Sequence, residues 1–492
     1  MSRTADRVDE GEGSADRPIV LRLLDGLVVA LFLAAVMLAA LPMGANRDWA
    51  WSPIVLVLGV VAVLMALGLG VRRGFEVAEG ERLPLLILIA CFAAFVAFAL
   101  IQMSPLAPAS GSAWLYADAA RILGRAHASV PDLAVDAARN TLLKCIACGL
   151  IFLIARAISR DPATGRLILV LFVASAVLVM IYALIAQVTT RSCYLGAYLK
   201  KQAGYAPTDV CVMSGTFVNS NSFGCYCGMG VVAAIALMFS SGDRDDRSEH
   251  RYSDDDGRGF LDWLTGPRLV WLAIAFFLLG GLMFSASRAA FGATGVGAFV
   301  LGLLLMRGYW RSRPDYVRIF VAGVALALVI GLIAGGALLD KLARGEELGA
   351  RLIIWSTAFE AARLSPWFGW GLGSFGDIYT ILQPPQIIEP NDLAHSTPIE
   401  TIVEVGVVMA LPTLAIVALP WAIALRGALV RRRRYRYLPA AAFTVAGVAI
   451  VHSLIDFSLQ MPAIGFVVSA LLGMGWAQAF GRRSGGVPTA QT

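Results

Sequence analysis

Two arginines and a histidine are the residues of this chain best suited to chemistry: Arg288 in FSASRAAFG, Arg351 at the head of RLIIWSTAFEAARLSP, and His395 in NDLAHSTPIE. A guanidinium stays charged when partly desolvated and presents paired donors that match phosphate oxygens. An imidazole with an unperturbed pKa near 6.5 can accept a hydroxyl's proton or orient it. Two fixed cations beside such an imidazole would stabilise negative charge as it develops on a leaving group. Each residue also has a plainer reading, since an arginine at a bilayer boundary can snorkel and a histidine beside a helix start can cap or pack.

The elements that would position them are membrane helices. Of the 492 residues, 58% are hydrophobic and 15% charged, and the mean hydropathy is +0.73, outside the range of ordinary soluble domains. Crossing a hydrocarbon layer of about 30 Å takes about 20 helical residues. Apolar runs of that order lie near 25–44, 53–71, 84–102, 140–158, 167–189, 219–240, 268–285, 288–306, 319–338, 399–425, 438–456 and 462–480. The expected fold is an all-α polytopic membrane protein with about 12 transmembrane helices and both termini on one side. Residues 1–24 form a polar tail, 25–480 the transmembrane domain, and 481–492 a second tail. The first apolar run exceeds a signal-peptide core and reads as a retained anchor, although LAALPMGA faintly resembles a cleavage site.

Basic residues orient the bundle, because cationic loops are retained in the cytoplasm. With the N-terminus inside, the inner segments hold Arg72 and Arg73; Arg156, Arg160 and Arg166; Arg307, Arg311, Arg313 and Arg318; and Arg431 to Arg434 with Arg436. The net charge of +6 therefore reads as topology and lipid-headgroup contact, with no nucleic-acid role. The mixed-charge segment GDRDDRSEHRYSDDDGRG reads as a solvated inner connector.

Arg288, Arg351 and His395 then fall on one outer face. The longest outer segment, about 339–398, is long enough to be functional in its own right. Helical spacing places Leu352, Trp355, Ser356, Phe359 and Ala362 on one face of an amphipathic helix that Ser365-Pro366 ends. WFGWGLGSFG follows, where four glycines among aromatic residues predict a tight, closely packed turn. Glu400 and Glu404 share a helix face and could orient His395 or an arginine, while Glu400 could equally meet the helix dipole. Asn219 and Asn221 could hydrogen-bond a polar ligand, and capping a helix explains them nearly as well. His452 and Asp456 share a helical face at i, i+4 and read as either a structural or a catalytic pair. No paired-carboxylate metal motif lies in the outer segments, where NDL offers one carboxylate, so neither metal nor cofactor is expected.

Five of the seven cysteines, Cys91, Cys145, Cys148, Cys225 and Cys227, lie in apolar stretches and read as small core residues. Cys193 and Cys211 share a polar outer loop, where an oxidising compartment would permit a disulfide.

GTFVNSNSFGCY, SASRAAFG, RLIIWSTAFEAARLSPWFGWGLGSF, AHSTPIETIVEVG and VHSLIDFSLQMPA occur in this order. Over about residues 200–465 the chain thereby resembles the O-antigen ligase and O-antigen polymerase family. That resemblance implies the GT-C-like fold of lipid-carrier glycosyltransferases and a metal-independent enzyme of the bacterial inner membrane with both termini cytoplasmic. It also implies an undecaprenyl-diphosphate-linked glycan donor at the periplasmic face, and a lipid A-core or growing-glycan acceptor. Arg288 and Arg351 look like the family's diphosphate-binding arginines and His395 like its essential histidine. A membrane transporter of glycans or lipid-linked precursors shares the twelve-span topology. Carriers, however, place ionisable residues near the midplane, and here Lys144 alone lies well within a span. A non-catalytic assembly scaffold would leave the three residues replaceable.

Overall fold

The computed structural model describes residues 18–69, 75–104, 113–124, 133–190, 212–240, 266–307, 323, 346–387 and 391–481. All of the expected span at 319–338 except residue 323, the inner connector and both Cys193 and Cys211 lie outside the described residues. The described elements are helical: α1 (Ile19–Met37), α2 (Asp48–Ala66), α3 (Arg82–Gln102), α4 (Ala113–Leu123), α5 (Val135–Ile158), α6 (Pro162–Thr190) and α7 (Ser220–Ser240). Then come α8 (Pro267–Phe284), α9 (Arg288–Met306), α10 (Glu346–Leu364), α11 (Phe375–Leu382), α12 (Thr397–Val430), α13 (Arg433–His452) and α14 (Pro462–Ala479). Among the described residues, ten helices are long and apolar enough to cross a membrane, so the protein is a multi-pass membrane protein. Helix α13, which is not among the ten, begins with RRYRY and packs on α7, α9, α12 and α14.

Helices α7 and α14 are almost wholly buried and form the centre of the bundle. Small residues make that position attainable, because between helices in lipid the attraction is close packing rather than exclusion of water. A side-chain carbon at Gly228 of α7 would overlap Thr294 of α9, and one at Gly473 of α14 would overlap the Phe152 carbonyl of α5. α14 packs on α5, α12 and α13, while α7 packs on α8, α9 and α13.

One end of the bundle is rich in arginine. There the Glu81 carboxylate, fully buried ahead of α3, accepts from Arg156 Nε at 2.7 Å, Arg160 Nη2 at 2.6 Å and Trp476 Nε1 at 2.8 Å. These bonds tie α3, α5 and α14 together. At the opposite end α7, α9, α12 and α14 begin and α13 ends.

Helix α12 is broken at Gly406, where φ is 66° and ψ 176°. The glycine-rich turn fills the break: Trp370 and Gly371 N–H donate to the carbonyls of Val403 and Glu404, and Val407 and Val408 N–H donate to those of Pro366 and Trp367. Irregular backbone at membrane depth persists only when protein satisfies it, and the turn does so. Its tightness is required, since a side chain on Gly369 would overlap the Glu404 backbone and one on Gly406 the Trp367 backbone.

Two local expectations are corrected. On α10 the buried face is Ile354, Thr357, Ala358 and Ala361, whereas Leu352 and Phe359 are more than half exposed. Apolarity cannot separate a core-facing from a lipid-facing side in a helix beside a membrane. Helix α13 stops at His452, four residues short of Asp456, so the two do not share a helical face. The Asp456 carboxylate accepts the next amide, Phe457 N–H, at 2.7 Å, a local bond that competes with helix.

Candidate functional site

The turn between α13 and α14, residues 453–460, is where distant segments meet. Asp456 is fully buried in it. Its Oδ2 accepts from Asn221 Nδ2 of α7 at 2.8 Å and lies 3.7 Å from Arg351 Nη2 of α10. Arg351 Nη1 donates to the Ile455 carbonyl at 3.2 Å. The guanidinium is thus held on one side by the turn, while about a quarter of the side chain stays exposed. His395 reaches the same turn: its ring lies edge-on to Phe457 at 5.1 Å between centroids, and Thr397 N–H donates to the Ser453 carbonyl at 2.9 Å. His452 is buried directly behind, within electrostatic reach of Asp456 and Arg351.

Arg288 opens α9 at the same end and is half-buried. The sequence breaks the backbone just before it: Ala286 is left-handed (φ 52°), and the Ser287 hydroxyl caps α9 by accepting Ala290 N–H. Gly224 of α7, one turn along from Asn221, packs against Ser285 and Ser287, the residues just before Arg288.

The carboxamides and acids anticipated beside these residues do different work. Asn221 joins the hub, whereas Asn219 Oδ1 accepts the amides of Asn221 and Ser222 at 2.6 and 3.3 Å and caps α7. Glu400 is buried and accepts Ala394 N–H at 2.8 Å, one residue from His395. Glu404, also buried, accepts Phe375 N–H at 3.4 Å and so reaches the glycine-rich segment. The sequence pairs Asp456 with His452 and sets Trp355 on a helix face, but it does not bring either to Arg351 or to the segment before His395. A carboxylate just beyond a long apolar helix needs a partner, and that was the available signal for Asp456. Among the described residues, no three His, Cys, Asp or Glu side chains are grouped as ligands of a metal ion.

Fold and site together define a class: an all-helical, multi-pass membrane protein with cationic and imidazole side chains gathered at one end of the bundle. Residues 273–414 match the family model described as O-antigen ligase, which supports assigning the chain to that family and, with it, an enzymatic role in the transfer of lipid-linked glycans in general. The matched stretch includes Arg288, Arg351, His395, Glu400 and Glu404, and leaves Asn221 and Asp456 on either side of it. No curated protein matches the chain.

Proposed function

We propose that the chain is a metal-independent glycosyltransferase that moves an undecaprenyl-diphosphate-linked oligosaccharide or polysaccharide onto an acceptor at the periplasmic face of the inner membrane. The product is either a glycan ligated to lipid A-core or a repeat unit added to a growing chain. The arginine-rich end of the bundle is the cytoplasmic one by the retention of cationic segments, which puts the hub turn outside with both termini inside.

In the reaction an acceptor hydroxyl oxygen bonds to the anomeric carbon as the bond from that carbon to the diphosphate oxygen breaks. The hydroxyl proton passes to His395, and the diphosphate departs on its lipid. Arg288 and Arg351 meet the negative charge that develops on the diphosphate, taking the part a divalent ion has in other glycosyl transfers. Fixed cations do this without reorganising, provided they are held.

The observation that carries the reading is the tethering of Arg351 by Asp456 and the Ile455 carbonyl while His395 packs on the adjacent Phe457. Cation and base are thereby anchored to consecutive residues of one turn. The test is glycan transfer by Arg288→Lys, Arg351→Lys and His395→Ala. Lysine keeps the charge but loses two-pronged contact, so both lysine variants should transfer poorly and His395→Ala should be inactive. Near-normal transfer by all three at normal membrane levels would overturn the assignment.

A further inference from the structure

The residue before His395 is gripped from both sides by side chains. Ala394 is fully buried; its N–H donates to Glu400 Oε2 at 2.8 Å, and its carbonyl accepts from the Trp355 indole N–H at 2.9 Å. Trp355 belongs to α10 and Glu400 to the first turn of α12, so the two grips come from separate elements. The Gln460 side chain at the end of the hub turn also lies beside Glu400.

What they hold is strained. His395 has φ of 50°, in the left-handed region that residues bearing a Cβ seldom occupy. The next residue returns at once to extended backbone, with φ −163° at Ser396. Such a conformation persists where the surroundings over-determine it, and it concentrates at working sites. A relaxed His395 would swing its ring away from Phe457 and from the turn that holds Arg351.

We infer that Trp355 and Glu400 are positioning residues that fix the backbone of Ala394 and thereby aim the His395 imidazole. The inference rests on the reading of His395 given under Proposed function and adds the device that presents it. Neither residue acts on substrate directly. Glu400 is only 5% exposed, and a carboxyl group buried beside one amide is a costly way to fill space compared with leucine. Fixed geometry is what it supplies.

The arrangement is tested in the full-length purified chain with undecaprenyl-diphosphate-linked glycan as donor, measuring kcat and donor KM together with thermal stability. Trp355→Phe keeps an aromatic ring, though a smaller one, and loses the N–H; Glu400→Leu loses the acceptor; Glu400→Gln keeps a carbonyl that can accept Ala394 N–H. Misplacing a catalytic group by about 1 Å costs on the order of a hundredfold in rate. Trp355→Phe and Glu400→Leu should therefore lower kcat at least about tenfold with donor KM within about twofold, while Glu400→Gln recovers most of the turnover. If Glu400→Leu fails to fold, Trp355→Phe with Glu400→Gln still decides the matter. Unchanged kcat in Trp355→Phe while His395→Ala is inactive would overturn the positioning role alone. So would losses of kcat that only track losses of folded protein. Near-normal transfer by His395→Ala would instead overturn the reading beneath it.

Discussion

Replacing Glu81 with glutamine removes the counter-charge of a buried guanidinium. Arg156 is 2% exposed and Glu81 0%, joined at 2.7 Å; Arg160, 23% exposed, shares the carboxylate at 2.6 Å. Glutamine keeps an acceptor for Trp476 Nε1 but leaves Arg156 without its anion. Breaking a buried pair from one side costs about 3–5 kcal/mol, and the better solvated Arg160 adds about 0–1 kcal/mol. The variant should therefore lose about 3–6 kcal/mol of stability, read by denaturant or thermal unfolding of the purified chain in detergent. A double variant, Glu81→Leu with Arg156→Leu, should recover most of that loss, since its origin is a stranded charge and not missing packing.

The same pair sets a pH dependence. Burial alone would push the Glu81 pKa up, but hydrogen bonds from Arg156 and Arg160 outweigh it and hold the carboxyl below its ordinary 4.5. Folding then favours the charged form, so the stabilisation is fully present above about pH 4.5 and is lost as pH falls through the lower folded-state value. Wild-type protein should lose this component on acidification and Glu81→Gln should have none to lose. A glutamine variant within about 1 kcal/mol of wild type, with an unchanged acid limb, would refute the reasoning.

Gly406→Ala should destabilise strongly, by about 1–3 kcal/mol for the left-handed backbone alone and more for the overlap with the Trp367 backbone; thermal unfolding reports it. Tyr379→Phe should be neutral or slightly stabilising, because the buried Tyr379 hydroxyl lacks a hydrogen-bond partner among the described residues and its burial is uncompensated. Asp456→Asn should loosen Arg351 through the lost charge and weaken the charge-assisted bond from Asn221, which is worth about 1.5–3 kcal/mol. Donor KM should rise in that variant, in steady-state transfer assays.

The bundle was legible because span length and apolarity are local properties of a sequence. The packed turn at Gly369–Gly376 was legible for the same reason, its glycines being close together. The face of α10 was not, since Leu352 and Phe359 are as apolar as the residues that do face the core. The break in α12 at Gly406 was also hidden, because it is created by a partner segment, Pro366–Gly371, that supplies the missing hydrogen bonds. At the site, residue types marked Arg288, Arg351 and His395. The hub did not show, because Asp456 meets Arg351 across 105 positions and Asn221 across 235, and its own approach to a helical pairing with His452 ends where α13 stops.

The central claim is most directly tested by the product. Purified protein incubated with undecaprenyl-diphosphate-linked glycan and a candidate acceptor, either lipid A-core or further donor, should yield acceptor carrying the glycan and release undecaprenyl diphosphate in equal amount, with or without a divalent-metal chelator. Intact donor with every acceptor tried, from folded protein, would contradict glycosyl transfer; transfer abolished by the chelator and restored by added metal would contradict the arginine-based mechanism.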